Sequence, residues 1–319
     1  NAALTVHAKL QNQATPVIPK ATKSCIPVLG WNEFPVDLSC EFFGRKLESP
    51  FLLSAAPPSD GYEQMKLAYE AGWSGGVMKT AFDNLDIHIP GEYMFVFNPD
   101  TYGNCDNVSE HPLDRVCGEV QCLVKEFPEK LTMASTGGPV TGDDASDKLV
   151  WQSNTRKLEA AGAMGIEYSL SCPQGGDGTH GDIVAQDAAL SAKIIDWVME
   201  ISDPEIPKLF KLTGAVTAIY PIIDAIRKVF ARYPGKKAGI TLANTFPSLG
   251  FRESDGTWDE GVIVGMSGAG VLPISYLTLA RAGKMGVHIS GNGGVMSYLD
   301  AANMLALGVS TVQCCTVAE

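Results

Sequence analysis

The strongest constraint on the fold is a regular alternation, from about residue 50 onward, of short apolar runs with longer segments of helical period. Apolar runs of this kind suit strands that are buried on both faces. The runs are Phe51–Ala55, Gly76–Thr80, Leu131–Ser135, Ile166–Ser171, Lys208–Leu212, Ala238–Ala243, Val287–Ser290 and Thr311–Cys315. Eight strands with intervening helices are the count of a TIM (β/α)8 barrel, the α/β fold predicted here; a doubly wound sheet is the alternative.

The segments between the runs carry helix signals. Helices are predicted over Asp60–Ala71, with Asp60 as N-cap, and over Ser146–Ala161, Ala188–Ile201, Thr217–Arg232, Ile274–Ala282 and Ser297–Leu307. Gly72, Gly162 and Gly308 stand where glycine ends a helix. Long insertions follow the second strand, at 81–130, and the sixth, at 244–270. Both are expected on the C-terminal face of the barrel, where active sites of this fold lie.

Length and composition fit one barrel with an extension. The chain has 319 residues, of which 45% are hydrophobic and 19% charged, and this excludes a disordered protein. No apolar run is long enough for a membrane span, and a net charge of −12 argues against a nucleic-acid partner. Residues 1–35 are polar and proline-rich, and we predict an arm or linker there. A hairpin over Val36–Leu47 then opens the barrel domain, 36–319.

The chain ends and the cysteines add weaker expectations. No signal peptide is visible, so a cytoplasmic location is expected. The chain stops directly after the eighth run, so we expect the barrel to be incomplete and further elements to follow residue 319. The eight cysteines include no CxxC pair, and the loose group Cys105, Cys117 and Cys122 matches no standard spacing, so no metal site is predicted.

Two lysines stand at strand ends. Lys79 and Thr80 close the second run, and Lys211 lies between Phe210 and Leu212 in the fifth. A lysine in an apolar strand is costly unless it has an anionic partner. Two such lysines in one barrel mouth suit an electron-rich or anionic cofactor; the alternative is that each is a satisfied structural lysine.

Three clusters of small residues late in the chain predict a phosphate site. They are Gly265–Gly270, Gly291–Gly294 and Gln313–Thr316. Loops after the last strands of a barrel, together with a helix N-terminus, bind phosphate in many enzymes of this fold. Ordinary turns, which also need glycine, are the alternative.

The segment Ser169–Gln174 closes the fourth run, and the glycine-rich stretch 175–181 after it is typical of a mobile lid. A thiol at a strand end beside a cofactor, here Cys172, is suited to giving or taking a proton. The spacing alone fits a buried structural cysteine equally well.

A set of short motifs runs in one order from residue 36 to the end. They are Val36–Ser39, Ser49–Pro57, Ala71–Trp73, Lys79–Thr80, Leu170–Pro173, Lys211–Thr213, Asn244–Thr245 and Val312–Gln313. In this order and spacing they resemble the FMN-dependent dihydroorotate dehydrogenase and dihydropyrimidine dehydrogenase families, and most closely the FMN barrel of dihydropyrimidine dehydrogenase.

The resemblance implies an FMN-dependent oxidoreductase that reduces or forms an activated C=C bond of a small molecule. Hydride would pass through flavin N5, and Cys172 would give or take the proton. The implied cofactor contacts are Ala55, Ala56, Lys79, Thr80, Lys211, Gly268, Asn292, Gly293, Gly294, Cys315 and Thr316. The implied substrate contacts are Ser169, Leu170, Ser171, Asn244 and Thr245. An electron-transfer partner with iron–sulfur or NAD(P)H chemistry and a homo-oligomeric state are expected as well.

The chain departs from those families in its expected pyrimidine-binding residues. Ser169 stands where they carry asparagine, Gln174 also departs, and the third strand end, Met133–Gly138, lacks an asparagine. An unpaired polar group on a bound pyrimidine costs about 1–3 kcal/mol, so a substrate other than uracil, thymine or orotate is expected. The alternatives are a pyrimidine-reducing enzyme with rearranged recognition, a flavin-binding scaffold subunit of a larger redox complex, and a barrel for another phosphate ligand.

Overall fold

A computed structural model describes residues 25–26, 34–35, 37–83, 94–106, 108–172, 183–254 and 257–318. Its strands are β1 (Cys25–Ile26), β2 (Phe34–Pro35), β3 (Cys40–Phe42), β4 (Arg45–Leu47), β5 (Phe51–Leu53), β6 (Gly75–Met78), β7 (Met94–Asn98), β8 (Thr101–Asn104), β9 (Leu131–Thr136), β10 (Ile166–Ser169), β11 (Lys208–Lys211), β12 (Ala238–Leu242), β13 (Phe246–Ser254), β14 (Thr257–Gly268), β15 (His288–Gly291) and β16 (Thr311–Cys314). Its α-helices are α1 (Tyr62–Glu70), α2 (Leu113–Glu126), α3 (Asp144–Ala160), α4 (Ala188–Ile201), α5 (Tyr220–Phe230), α6 (Leu272–Ala282) and α7 (Tyr298–Ala306).

Eight of these strands form a closed parallel barrel in the order β5, β6, β9, β10, β11, β12, β15, β16. The last strand returns to the first, with Val312 opposite Phe51. These are the eight predicted runs, so the TIM barrel is confirmed and the doubly wound sheet is excluded. Parallel strands buried on both faces favour apolar side chains, which is why the runs stand out in the sequence although they also carry polar residues such as Glu167 and Gln313.

The helices correct two details of the prediction. Helix α1 begins at Tyr62 with Gly61 as its N-cap, so the assignment of Asp60 as cap is wrong; its carboxylate instead accepts a hydrogen bond from Ser109 Oγ at 2.6 Å. The region 81–130 is only partly an insertion, because α2 is the second helix of the barrel. Its sequence signal is weak because Pro112 provides no side-chain cap and Gly118 lies mid-helix.

The two insertions come together in one antiparallel sheet of order β13-β14-β8-β7. Asn104, from the insertion after the second barrel strand, lies opposite Gly265, from the insertion after the sixth. Below this pairing, Ala269 N donates to Asp100 O at 2.7 Å. Both insertions lie at the C-terminal ends of barrel strands, as predicted, and they join opposite parts of the mouth.

The predicted hairpin is confirmed as β3 and β4, and it covers the N-terminal end of the barrel. Phe42 and Leu47, each 1% exposed, pack with Leu52, Val77 and Leu209 from the barrel strands. The predicted arm, 1–35, lies outside the described residues except for the short pair β1 and β2. No helix in the described ranges is long and apolar enough to cross a membrane.

His288, at the start of β15, makes stability depend on pH. Its ring lies 4.0 Å from that of Phe43, centroid to centroid, and burial lowers its pKa from 6.5 to about 4. The unfolded chain therefore binds a proton before the folded protein does as the pH falls. The free energy of unfolding is expected to drop by up to about 3 kcal/mol between about pH 6.5 and pH 4, and to level off below.

Urea unfolding of His288→Leu as a function of pH tests this expectation, with His111→Leu as control. The first variant should lose this part of the pH dependence and the second should keep it. Parallel profiles of wild type and His288→Leu would show that another group controls the acid limb.

Candidate functional site

All eight barrel strands are parallel, so their C-terminal ends meet at one rim. There Ser169, the last residue of β10, donates from Oγ to Cys172 Sγ at 3.0 Å. Asn244, just beyond β12, places Nδ2 at 3.9 Å from the same sulfur. Three residues that the sequence predicted for the reaction or for the substrate are thus in contact, although they come from two strands that are not adjacent.

Burial is the main influence on the Cys172 thiol. It raises the pKa above the ordinary value of 9.0, and the nearby Asp106 carboxylate adds to the shift. The hydrogen bond from Ser169, the Lys211 charge and the contact with Asn244 oppose the shift without cancelling it. The thiol is therefore protonated at neutral pH, which is the state of a proton donor.

Lys211 enters the barrel from β11 and is 4% exposed. Its ammonium lies 3.4 Å from Ser54 Oγ, at the end of the first barrel strand, and 3.6 Å from Glu167 Oε1 on the neighbouring strand. The anionic partner that a buried lysine requires is therefore a strand carboxylate. This pairing is compatible with a structural lysine whose charge is balanced within the fold. It is equally compatible with a lysine that acts at a cofactor.

Lys79 has a different partner. Its ammonium binds Asp106 Oδ2 at 2.5 Å and lies 3.8 Å from Asp60 Oδ2. Asp106 comes from the insertion after β8, and its side chain is only 5% exposed. Burial raises the pKa of Asp106 although Lys79 opposes the shift. Its second oxygen, Oδ1, is buried and has no hydrogen-bond partner in the described part of the chain.

Other polar groups predicted at the site bond within the fold. Thr80 Oγ1 shares a hydrogen bond with Ser135 Oγ at 2.8 Å, and Thr136 Oγ1 donates to Ala81 O at 2.8 Å. The third strand end therefore offers few spare hydroxyls. Leu170 is fully buried in the core against the helices. By contrast, Ser171 Oγ is buried without a partner among the described residues.

The glycine loops meet the first turn of α6. A Cβ on Gly294, which has φ +89°, would lie 2.7 Å from Leu272 N and 2.8 Å from Gly268 O, and one on Gly293 would collide with Ser275 Oγ. Ser275 is fully buried, and its hydroxyl has no partner in the described ranges. This region therefore combines a hydroxyl without a partner, glycine backbone and a helix N-terminus. Such a combination is suited to binding a phosphate group.

The remaining predicted residues line the same rim or its loops. Ala55 and Ala56 follow β5 and are half-buried, and so are Cys315 and Thr316 after β16. Asn292 Oδ1 accepts from Gly293 N at 2.9 Å and so fixes the glycine loop. Thr245 lies against Gly265, where a Cβ would collide with its Oγ1. Gln174 and the predicted lid, 175–181, lie outside the described residues. No cluster of metal-ligand side chains occurs in the described ranges.

Asp106, Glu167 and Ser275 were not predicted. Glu167 carried a signal that could have identified it, an acidic residue within the apolar run Ile166–Ser171. Ser275 carried a similar signal, because it is a polar residue at a buried position of the predicted helix Ile274–Ala282. Asp106 had no such signal, because it lies after β8 in a loop, outside any strand or helix.

Comparison with known proteins identifies the family, although no family model matches. The NAD-dependent dihydropyrimidine dehydrogenase subunit PreA of Escherichia coli K12 is 30% identical over 300 residues, which cover 88% of this chain and 68% of that protein. The chain belongs to the family of dihydropyrimidine and dihydroorotate dehydrogenases. It is therefore an oxidoreductase, as the resemblance predicted.

Two further proteins extend the comparison, the first by sequence and the second by fold. The catalytic subunit of dihydroorotate dehydrogenase B (NAD(+)) of Endomicrobium trichonymphae is 27% identical over 86% of this chain and 84% of that protein. The ligand-free DHODH of Eimeria tenella superposes with a TM-score of 0.72 at 16% identity, over 94% of this chain and 85% of that one. That structure shares the fold, which supports the barrel described above.

Proposed function

We propose that the chain binds one FMN in the barrel mouth and reduces, or forms, an activated C=C bond of a small heterocyclic substrate. The observation that carries the proposal is the placement of a half-buried thiol, Cys172, in the same barrel mouth as two buried lysines, Lys79 and Lys211. The raised pKa of Cys172 keeps this thiol protonated at neutral pH. Reduction of a polarised double bond needs a hydride at one carbon and a proton at the other. Bound flavin supplies the hydride, and the Cys172 thiol supplies the proton.

The residues present fit FMN at both of its ends. The Gly293–Gly294 loop, the first turn of α6 and the unpaired Ser275 hydroxyl suit the phosphate group. Lys79 and Lys211 suit the polar edges of the ring, where positive charge favours the reduced, anionic form. The small residues Ala55 and Ala56 leave room for a flat ring above β5.

The substrate proposed differs from a pyrimidine gripped by several asparagines. Ser169 is engaged with Cys172, and the third strand end bonds within the fold. Among the described residues, the groups left for recognition are Asn244, the Ser171 hydroxyl and Asp106 Oδ1, of which the last two have no hydrogen-bond partner there. A buried carboxylate oxygen accepts hydrogen bonds only. The arrangement therefore favours a heterocycle that presents an N–H group toward Asp106 and carries fewer other polar groups than uracil, thymine or orotate.

An electron-transfer partner is part of the proposal. FMN must be recharged after each turnover, and the sequence carries no iron–sulfur or NAD motif. The two relatives described above are a subunit and a catalytic subunit, and both names include NAD. We propose that a separate subunit or domain delivers electrons to this barrel. A scaffold role is less favoured, because the thiol and both lysines are retained.

Visible absorption spectroscopy of the purified chain tests the proposal. A flavin spectrum that dithionite bleaches is expected, together with spectral perturbation by unsaturated N–H heterocycles that carry fewer polar groups than a pyrimidine, at lower concentration than by uracil or orotate. A preparation that neither contains FMN nor takes it up would refute the flavin chemistry. Tighter binding of uracil than of the other heterocycles would refute the altered recognition alone.

A further inference from the structure

Glu167 is a fully buried acidic residue inside the barrel. It lies on β10, its side chain is fully buried, and Oε2 accepts hydrogen bonds from Thr241 Oγ1 at 2.7 Å and from Gln313 Nε2 at 2.9 Å. Gln313 is also fully buried, and its Nε2 reaches Ser290 Oγ at 3.2 Å. Residues from three other barrel strands, β12, β15 and β16, thus hold this carboxylate in place.

The other oxygen of Glu167 faces Lys211. The ammonium lies 3.6 Å from Oε1, and Oε1 has no hydrogen-bond partner among the described residues. Two hydrogen-bond donors fix one oxygen of this carboxylate, and the other oxygen faces the lysine. The carboxylate therefore restricts the position of the lysine ammonium. Ser54 Oγ lies 3.4 Å from the ammonium on the other side, so Lys211 is held between two barrel strands.

We propose that Glu167 is a positioning residue that draws the Lys211 ammonium into the barrel and offsets part of its charge, and so sets the reduction potential of the bound flavin. This inference rests on the proposed function, because it requires FMN above Lys211. A lysine free of its carboxylate moves closer to the ring and stabilises the reduced, anionic form more strongly. The enzyme's carboxylate therefore keeps the flavin a stronger reductant than Lys211 alone would.

The first experiment does not depend on FMN. Urea unfolding is measured for the purified chain, Glu167→Gln, Lys211→Met and the double variant. Each single variant leaves one polar or charged partner buried without its counterpart, so both should lower the unfolding midpoint. The double variant should be more stable than the sum of the two losses predicts. Additive losses would show that the two residues do not interact and would overturn the proposal.

The second experiment measures the two-electron midpoint potential of the FMN-loaded protein. Glu167→Gln should raise the potential by the equivalent of about a tenfold change in the reduction equilibrium, about 30 mV for two electrons. In the Lys211→Met background the same substitution should shift the potential by less than half as much. Glu205→Gln, whose side chain is 79% exposed, removes the same charge at the surface and should cause no shift.

Equal shifts in both backgrounds, or none in either, would overturn the positioning role. Thr241→Val distinguishes the effect of the Glu167 charge from that of its hydrogen bonds. It removes one hydrogen bond to Glu167 and leaves the charges of Glu167 and Lys211 in place. It should change the potential less than Glu167→Gln does. A chain that binds no FMN would refute the flavin chemistry and the tuning together, whereas normal FMN binding with an unaltered potential would refute only the role of Glu167.

Discussion

Cys172→Ser is expected to reduce turnover by about 10²–10⁴-fold while FMN stays bound, because a positioned general acid contributes that much to a proton-transfer step. Serine keeps nearly the volume of cysteine, but its hydroxyl is a far weaker acid than a thiol. The flavin should still be reduced by an artificial donor, since that step does not need the proton donor. Single-turnover reoxidation of the reduced flavin by substrate isolates the affected step.

The pH profile of the wild-type protein should show the state of the same thiol. Burial raises the Cys172 pKa above 9.0, so the protonated form persists through neutral pH. Substrate reduction should be constant near neutrality and fall only as the pH rises through the raised pKa. Dehydrogenation in the reverse direction needs the thiolate and should increase over the same range.

Cys122→Ser is the matched control, because Cys122 is exposed on α2. It should leave turnover and the pH profile unchanged. Full turnover of Cys172→Ser, with an unaltered alkaline limb, would show that a different group carries the proton. Loss of FMN from the variant would point to a packing role for this cysteine instead.

The barrel could be predicted from the sequence because the signals for its strands and helix ends are local. A run such as Ala238–Ala243 is mostly apolar because its strand is buried on both faces, and Gly72, Gly162 and Gly308 end helices with φ of +103°, +84° and +98°. Helix α2 was missed because its apolar positions, Leu113, Val116, Val120 and Leu123, carry a helical period without a cap to mark the start.

The site was readable only in part because its contacts join distant segments. Cys172 and Asn244 were predicted individually, yet the 3.9 Å contact between them spans 72 residues. Lys79 was predicted as a cofactor contact, but its partner Asp106 lies 27 residues away in an insertion. The sheet that places this insertion pairs Asn104 with Gly265, and no local pattern specifies that pairing.

Gly294→Ala is expected to weaken FMN binding by at least about 100-fold. This is the effect expected when two charge-assisted hydrogen bonds to the phosphate group are lost. The added Cβ would lie 2.7 Å from Leu272 N and 2.8 Å from Gly268 O, and neither is the flexible end of a side chain. The backbone must therefore shift, and the first turn of α6 can no longer present its N–H groups to one point. Fluorescence titration of the flavin-free protein with FMN measures the effect.

Backbone strain must be separated from the collision, because Gly294 has φ +89° and alanine there costs about 1–2 kcal/mol by itself. Gly308→Ala provides the control, since Gly308 has φ +98° and a Cβ there meets nothing within 4 Å. Gly308→Ala should lower thermal stability by a similar strain yet bind FMN normally. Ser275→Ala should weaken FMN binding by about tenfold, as it removes one buried hydroxyl without strain. If Gly294→Ala bound FMN as tightly as Gly308→Ala, the phosphate would have to lie outside the loop that Gly293 and Gly294 form with α6.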